Sequence, residues 1–164
     1  MRRLRILPLP LVALVPLLTG CVAEPRPVGL RFENGRPVAF FPMCPGEELR
    51  SLRAGDREPV EGQAFARDPA SSVRWTLPRT DEARAGLVYL DAPAQFVFTD
   101  RPVPDLSRGP LWITGTSADG WRRTVRLDDD VPREGYGPDE WWSEGRMRSR
   151  AWLVREQHCG GEGY

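Results

Sequence analysis

A chain of 164 residues, 40% of them hydrophobic, has room for one domain of ordinary size with a real core. All 23 of its basic side chains are arginine, which excludes Schiff-base and lysine general-base chemistry. The 17 prolines and 16 glycines suit short strands and frequent turns rather than long helices.

The first segment has the three parts of a secretory signal. Arg2, Arg3 and Arg5 form a positive start, Ile6 to Leu18 an apolar run, and Thr19 and Gly20 a small-residue cleavage point. The run is shorter than the roughly 20 residues a spanning helix needs, and Pro8, Pro10 and Pro16 interrupt it. Leu18-Thr19-Gly20-Cys21 resembles the lipobox of bacterial lipoproteins at all four positions. The arginine-, glycine- and proline-rich composition is similar to that of the actinobacterial members. The resemblance implies that residues 1–20 are a signal peptide and that Cys21 becomes the first residue of the mature chain. It also implies a diacylglycerol thioether, with palmitate-type chains, on the Cys21 sulfur. Two acyl chains hold a protein to a bilayer lastingly where one holds marginally. The expected location is therefore the extracytoplasmic face of the cell membrane. The Arg2-Arg3 pair leaves the general secretory and twin-arginine routes both open.

Past Cys21 the chain carries 20 arginines and 23 acids, a formal charge of −3. Such a balance argues against nucleic acid as a partner. Residues 21–27 read as the lipidated cysteine and a proline-stiffened tether, and 28–164 as a single β domain. Val28, Leu30 and Phe32 alternate, and Asn34-Gly35 is a strong hairpin signal. Pro37 to Met43 is the return strand, with Val38 and Phe40 on one face and Ala39 and Phe41 on the other, as in a strand buried on both sides. A weaker strand follows over 47–53, then a long polar connection to Ser72.

Val73, Trp75 and Leu77 mark a period-2 strand with these three side chains inward, and residues 78–86 a turn-rich link. Short strands follow at 87–90 and 96–99, and a proline-rich crossing at 100–110. Leu111 to Thr116 is strongly strand-forming. Asp119-Gly120 turns the chain, and Trp121, Arg123, Val125 and Leu127 alternate on the way back. Residues 128–149 read as a polar excursion and 151–155 as a last strand. About eight or nine short strands at this spacing predict an all-β antiparallel sandwich, immunoglobulin-like or a partly open barrel.

With Cys21 taken by lipid, Cys44 and Cys159 are left in an oxidising setting with one intramolecular pairing. The competing reading is a Cys44 thiolate activated by His158, the only histidine. The adjacency of His158 to Cys159 favours the bridge. Tyr136, Trp141 and Trp142, in the polar excursion among several acids, form a candidate surface for a sugar ring or a protein partner. The opposing expectation is that the tryptophans plug the sandwich, with arginines stacked on them.

Asp128-Asp129-Asp130 lacks the spacing of a calcium loop and reads as a solvated turn. No metal site, cofactor motif or catalytic residue is expected. There is no GxSxG, HExxH, phosphate loop or CxxC. The chain is therefore expected to be a membrane-anchored interaction or accessory domain meeting an envelope protein. The alternatives are a glycan or cell-wall binding module working through Trp141 and Trp142, and a small carboxylate hydrolase.

Overall fold

The computed structural model describes residues 26–56, 72–100, 110–157 and 159. The expected signal peptide, the expected lipobox with Cys21, most of the tether and of the two long connections, His158 and the last five residues lie outside these. Among the described residues, ten strands form two open antiparallel sheets. The expected all-β sandwich is the architecture found.

In the first sheet, β1 (Gly29–Glu33) and β2 (Arg36–Phe40) are the hairpin that Asn-Gly demands. Asn34 and Gly35 both take positive φ, 52° and 77°, the left-handed pair that matches strand twist in a two-residue turn. The short β5 (Leu87–Tyr89) borders β2 on one side. On the other side β9 (Glu140–Ser143) and β10 (Arg146–Ser149) complete the order β10-β9-β1-β2-β5.

The second sheet has β3 (Leu49–Gly55) at its centre, flanked by β4 (Ser72–Pro78) and β7 (Leu111–Ser117). The edges are β6 (Phe96–Thr99) and β8 (Arg122–Leu127). Five strands face five, where an immunoglobulin constant domain sets four against three.

Period-2 alternation sends one set of side chains from each sheet into a shared core. Leu30, Phe32, Ala39 and Val88 come from the first sheet, and Leu52, Trp75, Ile113 and Leu127 from the second. Removing that apolar area from water stabilises the pairing by roughly 25 cal/mol per Å².

Two segments differ from expectation. The excursion over 128–149 contains the β9–β10 hairpin, turned by Glu144 and Gly145 at φ 52° and 75°. Residues 150–155 are helical, not a strand: α2 (Arg150–Arg155) is capped by Ser149, whose Oγ accepts the Trp152 N–H at 3.1 Å. The helix lies on the outer face of the first sheet, where Val38, Phe40, Trp141 and Leu153 make a second small core. Gly29 permits that approach, since a Cβ there would lie 2.7 Å from Leu153 Cδ1. A short helix α1 (Asp81–Arg84), capped by Thr80, sits in the link before β5.

Candidate functional site

The three aromatic residues expected to share one surface do not. Trp141 and Trp142 are neighbours on β9, so their rings point to opposite faces. Trp141 is 1% exposed and packs beneath α2, 5.3 Å from the Phe40 ring, with the Arg31 guanidinium 4.3 Å above it. Trp142 is half-buried against the main core. Tyr136 is also half-buried, and its hydroxyl donates to the Pro132 carbonyl at 2.7 Å. Burial pushes the Tyr136 phenol up to about 12. Among the described residues these three rings form no shared platform for a sugar; Arg31 stacks on Trp141, and Arg148 lies 4.0 Å from the nearby Trp152 ring.

Cys44 and Cys159 are bridged, with 5.3 Å between their Cα atoms. Beside the bridge lies a polar cluster centred on Glu47. One Glu47 oxygen accepts from Trp121 Nε1 at 2.9 Å and Arg26 at 3.3 Å; the other accepts the Cys44 N–H at 2.9 Å. Gln157, fully buried at the end of α2, donates to Cys44 Sγ at 3.1 Å. Arg123, buried on the core side of β8, donates to the Pro42 carbonyl and stacks 3.9 Å from the Trp121 ring. Burial pushes the Arg123 guanidinium down to about 10. The Glu47 carboxylate is satisfied inward and ties the end of the sandwich together, whereas Arg123 Nε and Nη2 and Gln157 Oε1 are buried without a hydrogen-bond partner among the described residues.

A pH-dependent stability follows. Burial pushes the Glu47 carboxyl up, but its bonds from the Cys44 N–H, Arg26 and Trp121 outweigh that and hold it below the usual carboxylate range. A depressed folded-state value contributes stability that is complete above the unfolded value. That stability is lost as pH falls through the folded one. Glu47→Gln places an amide N–H₂ among donors, and is expected to cost about 2 kcal/mol at pH 7. In urea melts the gap between the two proteins should close as pH falls below about 4.5.

The outer face of the second sheet is built differently from every other surface of the fold. The outward positions on its strands read arginine and hydroxyl almost throughout. Ser51 pairs with Thr76 and Thr116, Thr116 with Arg122, and Arg53 with Arg74 and Thr114. Thr114 and Thr124 are joined hydroxyl to hydroxyl at 2.8 Å, and Arg126 lies beside Trp112. The face dips into a concavity of about 510 Å³ that reaches from β6 to β8, lined among the described residues by four arginines: Arg50, Arg53, Arg74 and Arg122. Ser51, Thr76 and Thr116 form the rest of its polar lining among the described residues, none of which is acidic. Burial, and then the neighbouring charges of Arg74 and Arg122, push the Arg53 guanidinium down. Asp100, well exposed, lies 3.5 Å from Arg74.

Leu77 and Phe98 close the concavity on its β6 side and are 48% and 59% exposed. Leu77 also holds φ at 56°, a left-handed conformation that costs a non-glycine residue about 1–2 kcal/mol. At this φ Leu77 leaves the inward phase that its strand's alternation predicts and stands in solvent. Among the described residues, no element covers this face, whereas α2 covers the corresponding face of the first sheet.

Guanidinium groups converging beside hydroxyls and two exposed apolar side chains suit carboxylates on a protein surface, each held bidentately. No known protein family, curated protein or solved structure matches the chain.

Proposed function

We propose that this chain is a membrane-tethered, extracytoplasmic interaction module that meets an acidic protein of the cell envelope through the outer face of its second sheet. The lipid on Cys21 holds the domain within a few tens of ångströms of the bilayer, since the six residues to Pro27 extend at about 3 Å each. The observation that carries the reading is the four-arginine concavity with Leu77 and Phe98 at its rim. Arginine and aromatic residues are enriched at protein interfaces and mutual charge attraction steers encounter. Conversely, no arrangement of carboxylates or thiol in the described residues favours hydrolysis, and the tryptophans that would serve a sugar are apart.

The test is a comparison at constant net charge. In the full chain, Arg74→Glu/Arg122→Glu should weaken binding of a glutamate decapeptide by at least tenfold. Arg146→Glu/Arg155→Glu changes the net charge equally, but away from the face, and should leave the affinity within twofold. Equal losses from the two pairs would remove the face from the proposal.

A further inference from the structure

The open edge of the same sheet shows how such a partner is gripped. β8 is paired only with β7 among the described strands. The Ser117 N–H donates to the Trp121 carbonyl at 3.1 Å, which fixes the phase of the ladder. Residues 121, 123, 125 and 127 exchange bonds with β7. The N–H and C=O groups of Arg122, Thr124 and Arg126 therefore point away from the sheet. They give onto a groove of about 670 Å³ running between the β8 edge and the first sheet. Thr124, Val125 and Arg126 form one wall and Val28 and Trp142 stand on the other; Asp128, Asp130 and Glu144 also line it, which keeps acids off the inner side of any occupant. Five residues of extended chain span about 17 Å, the length of the edge from 122 to 126.

Charge selects the occupant. A second copy pairing its own β8 antiparallel about Thr124 would set Arg122 against Arg126 of the other copy, twice, and like charges directly opposite are destabilising. A strand with acids at those two positions meets them favourably. We infer that β8 accepts an extended segment of the acidic partner as a sixth strand. Its alternate residues are acidic on the outer side, opposite Arg122 and Arg126, and apolar on the inner side, toward Trp142 and Val125. The main chain supplies hydrogen bonds, and the two faces supply selectivity. Arg126 now pairs with Asp128 at 3.0 Å, and the incoming carboxylate takes over that guanidinium. The inference rests on the arginine face being an acid-binding surface, and adds which chain conformation it binds and where.

The probe is the blocked heptapeptide VEVTVEV, added to the full chain in detergent. Saturation should slow amide exchange at Arg122, Thr124 and Arg126 by at least tenfold. The same peptide N-methylated at its threonine should bind at least tenfold more weakly. Thr124→Pro should abolish binding while lowering the thermal midpoint no more than Thr124→Ala, which loses the same hydroxyl bond to Thr114, because the N–H it removes serves no ladder bond. The N-methyl comparison needs no variant protein and stands whether or not Thr124→Pro folds. Equal affinity for the two peptides overturns strand addition and leaves the acid-binding face standing. Failure of both peptides to bind overturns both.

Discussion

Reducing the Cys44–Cys159 bridge is expected to lower the stability of the domain by about 4–5 kcal/mol, the largest single loss anticipated for this fold. The two cysteines are 115 residues apart, so in the unfolded chain the bridge closes nearly the whole domain into a loop. The loop-entropy relation gives roughly 4.8 kcal/mol at that length. The native contacts point the same way. The bridge fastens the segment after α2 to the end of β2, where Gln157 and Arg26 both reach Cys44 Sγ and Glu47 joins them. For a domain of this size the loss corresponds to a fall in thermal midpoint of roughly 15 °C. Cys44→Ser/Cys159→Ser, scanned beside the oxidised parent, checks it. A fall of less than about 3 °C would mean that the bridge constrains little.

The second large effect concerns Trp141. Removing the buried ring with Trp141→Ala should cost about 3–4 kcal/mol, since it empties the space between Phe40, Gly29 and α2 and unseats Arg31. The indole N–H has no described partner, which places the cost below the top of the range for a tryptophan. Trp142→Ala should behave differently. Its ring is half-buried on the other face and lines the groove beside β8, so it is expected to cost about 1–2 kcal/mol and to weaken VEVTVEV binding. Urea denaturation of both variants separates the two tryptophans. Equal losses would contradict their placement on opposite faces of β9.

Much of the fold is legible in the residues themselves. Asn34-Gly35 dictates its hairpin by backbone chemistry. Trp121 to Leu127 alternates so regularly that both its strand and its inward set can be read directly, including the buried Arg123. Trp141-Trp142 is harder, because adjacent aromatics look like a pair until strand alternation separates them. The Glu144-Gly145 turn that makes β9 and β10 a hairpin carries a weaker signal than Asn-Gly or Asp-Gly. α2 was hidden for a similar reason: a six-residue stretch with Trp152 and Val154 fits a strand period as well as a helical one.

The arginine face was half legible. Arg74 alternates with Trp75, and Arg122 and Arg126 with Arg123 and Val125, so each strand shows an outward arginine. What no local pattern reveals is the order β6-β4-β3-β7-β8, which sets Arg74, Arg53 and Arg122 in neighbouring rows. A formal charge of −3 past Cys21 conceals this segregation, because acids such as Glu33, Asp91 and Glu47 lie elsewhere, paired with Arg31, Arg36 and Arg26.

The most direct measurement places a photoreactive side chain at position 98 of the full chain produced in its native cells. The arginine face as a protein-binding surface requires one dominant protein adduct at an acidic, extended segment, abolished by Arg74→Glu/Arg122→Glu and kept in Arg146→Glu/Arg155→Glu. Adducts only to lipid or glycan, or a protein adduct indifferent to the charge of the face, would contradict it.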